Sequence, residues 1–413
     1  MLQNHLRGEK LVAYVLLFSA IAFLKTPNLF LSPRFWAEES SAYADMQGAS
    51  AIRVLTRFQL ENIPLVTNFA SYLATLAPLQ FAPAVTSAIA FLFMLVVAIQ
   101  IALFVKDHNL SDVVGILLLI AVAYTPPSYE IWMTSTNTQW WAGVSVLLLA
   151  TRPSAAFSGW RLPLACAWLV LCGASGIAGA VPAVALLIRW LQLRDRVSFL
   201  LCLCLGTMAA YQAAFILLNP IPRSYSGNAI ILTAPTIIQS MLAPLFGVEF
   251  AAAVGAKALK SNLLNATTLG IYLTGVVIFA AAVCFAMSSP YRPVAVLIAA
   301  TWMVVSVAQT FGGLGDASHL LKPIFGARYF FLGCCCLCLL LALGTVSRHV
   351  AVSTTCVGAL LAICITGIVY RYSGQVSMFL HGPSWQTQAT ACGPQGCSIK
   401  VWPEWWHAVN IRR

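Results

Sequence analysis

Long apolar runs broken by short polar stretches set the rhythm of this chain from one end to the other. The runs fall at 9–31, 84–105, 112–125, 139–151, 162–174, 177–191, 197–218, 267–287, 293–311, 325–346 and 350–370. A helix needs about 20 apolar residues to cross the hydrocarbon of a bilayer. The longer runs therefore read as transmembrane helices, and shorter ones such as 139–151 as tilted spans or half-helices. Gly173, Gly176 and Gly179 lie in the pair at 162–191, where small residues suit close helix packing or a re-entrant turn. The pattern predicts an all-α polytopic membrane protein of about 11 (9–12) transmembrane helices.

Charge placement adds an orientation. Arg7 and Lys10 precede the first run, and the positive-inside rule puts that end inside. Lys106, Arg152, Arg161, Arg189, Arg194, Arg196, Arg292 and Arg348 all fall on the same side, provided that residues 32–83 do not cross. The apolar piece 63–80, flanked by Pro64, Asn68, Pro78 and Pro83, is then an interfacial helix or one that dips in and returns. The C-terminus falls outside. The stretch Leu11–Leu31 is longer than the ~7–15 apolar residues of a signal peptide, so it reads as a retained span. Two parts follow: a transmembrane domain, 1–370, containing a first outer loop at 32–83, and an outer tail, 371–413. Segments 219–266, 126–138 and 312–324 complete the outer face, and no inner loop is long.

Composition narrows the classes. With 60% hydrophobic and 8% charged residues and a mean hydropathy of +0.85, a soluble core is excluded. The net charge of +11 is dispersed at run ends, which argues against nucleic acid. Most cysteines sit in apolar runs as small hydrophobes. Cys392 and Cys397 instead flank Gly-Pro-Gln-Gly in the polar tail, where they form either a disulfide or a metal site with His381 or His407. No internal repeat of the transporter kind stands out.

With only 12 Asp plus Glu in the chain, the adjacent Glu38 and Glu39 just beyond the first run are the strongest chemical signal. One carboxylate can serve as general base on an acceptor hydroxyl, and a close second acid raises the pKa of the first or shares a metal ion with it. The same loop supplies Asp45, Arg53, Arg57 and Glu61. Arg53 and Arg57, four apart, would share a helical face and grip a phosphate, or else form solvated ion pairs. The turn Gly312–Lys322 brings Asp316 and His319, which with Asp45 of the first loop are the acid/base or metal candidates. Lys322, Arg328 and Tyr329 would sit at lipid-phosphate depth. Glu130, Asn137, Thr138 and Gln139 beside Trp140 and Trp141 suggest sugar recognition through Asn137 and Gln139, with the two indoles read as an interfacial belt.

An acidic pair in the first outer loop, directly after an N-in first span, resembles the GT-C superfamily of integral membrane glycosyltransferases. The string Pro33-Arg34-Phe35-Trp36-Ala37-Glu38-Glu39 is also similar to a group of poorly characterised bacterial membrane proteins. Gly382-Pro383-Ser384-Trp385 and Trp402-Pro403 extend that likeness over nearly the whole chain. In that group the position of Glu39 is Asp and that of Ser40 is Gly, so which acid is the base stays open, with Glu38 favoured. The resemblance implies an enzyme of the bacterial inner membrane, its site facing the periplasm or exterior. It would move a sugar from a polyprenyl-phosphate donor to an outer-face polysaccharide or lipid. Glu38 or Glu39 would be catalytic, and Arg57, Lys322, Arg328 and Tyr329 would hold the donor phosphate. A divalent metal ion is compatible with this set but not required by it. The rival readings are a transporter or flippase of a lipid-linked or small solute, and a non-catalytic subunit of a polysaccharide assembly complex. Apart from Lys25, the spans hold almost no ionisable groups, which argues against ion-coupled transport.

Overall fold

A computed structural model describes residues 2–59, 62–219, 229–260, 265–312, 320–322, 326–373, 382–403 and 406–411. The chain is mostly helical. Among the described residues, six helices are long and apolar enough to cross a membrane: Leu79–Asp107, Arg196–Leu218, Thr268–Met287, Arg292–Gln309, Ala327–Gly344 and Val350–Tyr372. Shorter apolar helices cover Asp112–Tyr124, Arg161–Ala174 and Ile177–Leu193, and a further helix covers Thr138–Ala150. This architecture is compatible with an all-α protein embedded in a membrane.

Side-chain burial fits apolar surroundings. Leu217, Leu218, Val276, Val277 and Val369 are largely exposed on the outside of the bundle, a costly arrangement in water but not in lipid. At the centre stands Phe331–Gly344, in which every residue is buried. Its Cys, Gly and Leu side chains let five helices pack round it: Asp112–Tyr124, Thr138–Ala150, Ala266–Met287, Arg292–Gly312 and Val350–Tyr372. A Cβ on Gly344 would come within 2.4 Å of Cys356 Sγ, so close approach there depends on glycine. Gly176, at φ +133, breaks the chain between Arg161–Ala174 and the helical stretch that follows. A Cβ on Gly179 would lie 2.1 Å from the Cys172 carbonyl oxygen, so the three glycines serve tight packing at this break.

The segment 219–266, placed on the outer face by the charge pattern, packs against the bundle where it is described. Helices Ala229–Ile237, Ala243–Phe246 and Val248–Leu259, joined through a π-turn at Ile238–Leu242, bury Ala234, Ile238, Leu242 and Ala251. Phe246, Phe250 and Leu259 of the same segment stay exposed on its other side.

The two ends of the bundle differ in kind. One end gathers ion pairs and caps: Arg152–Asp107 at 2.9 Å, Lys10–Asp112 at 2.8 Å, and Asp195 capping the helix Arg196–Leu218 by accepting from the Ser198 N–H at 2.7 Å. The other end carries most of the polypeptide outside the long helices. There the stretch 63–80 forms Leu65–Thr75, at 11 residues too short to span. Beside it lie Ala37–Met46 and the single turn Arg53–Thr56.

The tail docks on this first loop. Its helix Trp385–Thr390 leads through a Cys392–Cys397 disulfide into an antiparallel pair, Cys397–Ile399 with Val409–Ile411. Phe35, Tyr43, Ala74 and Ala82 from the first loop and its flank form one apolar cluster with Trp385, Ile399, Val401 and Ile411. One backbone and one side-chain hydrogen bond seal the contact: Ala37 N–H donates to the Trp402 carbonyl at 2.6 Å, and the Trp385 indole Nε1–H donates to the Leu79 carbonyl at 2.8 Å.

Candidate functional site

Glu38 and Glu39 occupy the first turn of Ala37–Met46, where a carboxylate is favoured by the helix dipole. Successive helical residues point about 100° apart, since a turn takes about 3.6 residues. The two acids therefore enter different surroundings. Glu39 turns inward and is fully buried. Its Oε1 accepts from the Ser135 N–H at 2.8 Å and the Ser135 hydroxyl at 2.6 Å, and its Oε2 accepts from the Trp36 N–H at 3.1 Å. Thr86 adds a further side-chain hydrogen bond. Burial pushes the Glu39 carboxyl up from its ordinary range, against the pull of these donors. Both of its oxygens are filled. Glu39 is a fastener between the first loop and the segment before Thr138–Ala150.

Glu38 turns the other way, to Arg328. Its Oε1 lies 3.3 Å from the Arg328 guanidinium, and its buried Oε2 has no hydrogen-bond partner among the described residues. On the far side of Arg328, Nε stands 3.9 Å from Glu130 Oε2. The three side chains are only 13%, 19% and 12% exposed for Glu38, Arg328 and Glu130. Burial raises the Glu130 carboxyl to about 7; Arg328 and the backbone amides of Ala327 and Arg328 pull it down, and the neighbouring Glu38 charge pushes it up. Two acids and one guanidinium in a dry place carry a surplus negative charge, which a proton on one acid removes.

The segment carrying Glu130 is itself anchored. It is a tight turn, Pro126–Ile131, held from below by Lys25, which is fully buried at the end of the first helix. Lys25 Nζ donates to the Ala123 carbonyl and to Ser128 Oγ, both at 2.6 Å, and sits 4.2 Å from the ring centres of Tyr129 and Trp132. Arg371 Nε closes the arrangement on the Lys25 carbonyl at 2.5 Å. Lys25, which the hydropathy pattern marks only as an exception within a span, is what positions the Glu130 turn.

Beside the cluster is a small cavity with room for about one water molecule. Trp36, Tyr129, Trp132 and Trp402 give it aromatic walls, and Thr26, Arg34, Glu130 and Thr134 give it polar ones. The Arg34 guanidinium lies 4.5 Å from the Trp402 ring centre. The tail thus supplies one wall and the first loop another.

The other expected site residues are placed as follows. Arg57 is buried, with Nε 2.9 Å from Asp45 and Nη1 bonded to Gln59 and Asn68, both at 3.2 Å. Arg53 is exposed and opens a turn that Arg57 has already left in extended conformation, so the two do not form a paired grip. Asp45 serves Arg57 and is half exposed. Lys322 is exposed near the head of the central helix. Tyr329 hydrogen-bonds Arg328 and meets Trp140 edge-on at 5.6 Å. Asn137 is buried and donates to the Glu130 carbonyl at 2.8 Å and to Thr134 Oγ1 at 3.0 Å, bracing the acid turn rather than facing a ligand. Gln139 Oε1 accepts from the Ala178 N–H at 3.4 Å and packs against Gly176. Trp140 and Trp141 are not a belt: both are buried, and Trp141 packs among Phe18, Trp132 and Phe331. Cys392 and Cys397 are joined. Asp316, His319, Glu61 and His381 lie outside the described residues. Among the described residues no group of three or more His, Cys, Asp or Glu is placed to hold a metal ion.

Glu130 is the acid that sequence reasoning passed over, assigned there to a polar-aromatic cluster. The missed signal is its neighbourhood: an ionisable residue following Pro126-Pro127 between two apolar runs. Comparison of the chain with protein-family models, with curated protein sequences and with solved structures finds no match.

Proposed function

We propose that the protein is a membrane glycosyltransferase that takes a sugar from a polyprenyl-phosphate donor and passes it to an acceptor hydroxyl on the outer face of a bacterial inner membrane. The observation that carries this reading is the convergence of Glu38, Glu130 and Arg328 from three distant parts of the chain in one mostly buried cluster. An acid to receive a proton and a guanidinium to meet a phosphate are the two groups such a transfer needs. A fixed guanidinium fork suits phosphate oxygens better than an ammonium does. The orientation is supported by the basic residues Arg152, Arg194, Arg196, Arg292 and Arg348, which cluster at the end opposite the cluster. Aromatic walls beside Glu130 suit the apolar faces of a sugar ring.

The test is a mass-spectrometric composition of surface glycans and glycolipids from a deletion strain complemented with wild type, Glu38→Gln, Arg328→Lys or Asp45→Asn at matched protein levels. The expected result is a sugar missing in the deletion, depleted with the first two variants and restored by Asp45→Asn. An unaltered glycan profile in the deletion removes the glycosyltransferase reading and moves lipid-linked solute transport ahead.

A further inference from the structure

The acid expected to act as base is Glu38 or Glu39, yet neither stands at the cavity wall. Glu39 has both oxygens filled by Ser135 and Trp36 donors. The Glu38 oxygen that makes a contact makes it to Arg328. Glu130 alone of the three borders the cavity, and its approach to Arg328, at 3.9 Å, is longer than a hydrogen bond. A base must reach both substrate and solvent, and must be able to change protonation near the working pH.

We propose, resting on the glycosyl-transfer reading above, that Glu130 is the catalytic residue that takes the acceptor proton, and that Arg328 passes from the two carboxylates to the donor phosphate when substrate enters. In the step, the acceptor hydroxyl oxygen forms a bond to the anomeric carbon as its proton moves to the Glu130 carboxylate. The bond from the anomeric carbon to the phosphate oxygen breaks, and its electron pair stays on the phosphate. Arg328 meets that charge. The lipid phosphate then leaves, and Glu130 returns its proton to water. Because the cavity now admits about one water molecule, a sugar enters only when one of its walls shifts.

The groups facing Glu130 explain why it can hold and release a proton. Arg328 and Glu38 lie beside it, Tyr370 couples to it from the helix Val350–Tyr372, and Arg34 lines the same cavity. Tyr129 precedes it, over Lys25. Desolvation outweighs the nearby cation, and the carboxyl sits at about 7.

The experiment uses membrane vesicles containing the full chain and synthetic decaprenyl-phosphate glucose, galactose, mannose and N-acetylglucosamine as probes. Transfer is followed between pH 5 and 9. Wild type should lose rate on the acid side with a midpoint near 7. Glu130→Gln should lower the rate about 100-fold or more and abolish that limb. Glu130→Asp should restore part of the rate with a shifted limb. Glu38→Gln should keep the limb at a reduced rate. A limb that persists in Glu130→Gln, or vanishes in Glu38→Gln, overturns the assignment while the enzyme reading stands. For a Glu130→Gln chain that does not accumulate, the Glu130→Asp and Glu38→Gln profiles decide. Infrared difference spectra of the purified full chain between pH 5.5 and 8.5 give a readout independent of transfer. A protonated-carboxyl band should disappear on raising the pH in wild type and in Glu38→Gln. A spectrum without that band overturns the proposal whatever the probes show. If no probe is turned over and deletion alters no glycan, the enzyme reading itself fails.

Discussion

Glu38 and Glu39 are neighbours in sequence and opposites in environment. Glu39 lies in a closed pocket where Ser135 and Trp36 meet both its oxygens. Glu38 lies in an open-ended cluster, sharing Arg328 with Glu130 and keeping one buried oxygen without a hydrogen-bond partner among the described residues. The first arrangement is finished; the second has unused capacity. Saturation is what a fold wants from a buried charge, and unused capacity is what chemistry wants.

The comparison breaks most visibly at Glu39. Glu39→Ala leaves the Ser135 and Trp36 donors buried and unpaired, and each such group costs about 1–3 kcal/mol. A total loss of about 3–5 kcal/mol is expected, with Glu39→Gln milder because it keeps an acceptor. Thermal unfolding of the detergent-solubilised chain measures it. Glu38→Gln should change stability far less while lowering the rate of transfer. Equal destabilisation by the two substitutions at the neighbouring positions would erase the distinction.

The second effect is on pH. Glu130 binds its proton more tightly folded, at about 7, than its ordinary 4.5. Its contribution to stability is therefore fully present below pH ~4.5 and is lost as pH rises through about 7, by roughly 3 kcal/mol. Glu130→Gln should flatten that slope in denaturant titrations between pH 4.5 and 7.5. Burial raises the Glu39 carboxyl too, so it contributes to the slope in the same direction, and Glu39→Gln should flatten it in part.

The smallest effect belongs to Asp45, half exposed beside the buried Arg57. Asp45→Asn should cost about 1 kcal/mol or less, because Gln59 and Asn68 still hold the guanidinium. Full glycan rescue by this variant would show that the Asp45–Arg57 pair is not needed for transfer.

Much of the helix pattern was readable from hydropathy, because a bilayer demands long apolar runs and their ends are marked by charge. That 63–80 forms a helix too short to span was readable too, through its flanking prolines. Roles were harder. That Glu39 is a fastener depends on Ser135, 96 positions away, and the Glu38 partnership depends on Arg328, 290 positions away. Neither pairing leaves a local spacing to detect. Asn137 and Gln139 misled for the same reason: amides that suit a sugar also suit a backbone turn, and only packing decides. Trp140 and Trp141 looked interfacial because composition cannot tell a belt from a core.

The strand-like pairing of Trp36 with Trp402 has a consequence in time. A ribosome adding about 5–20 residues per second needs roughly 20–70 s to travel from one of these indoles to the other. Through that interval the first loop is already delivered, with its acids in place, while one wall of the cavity has yet to be made. The chain therefore cannot complete this cavity piecemeal as it emerges. The cavity closes only once the last stretch has been made and laid against the first, so a stalled or prematurely ended chain lacks the Trp402 wall.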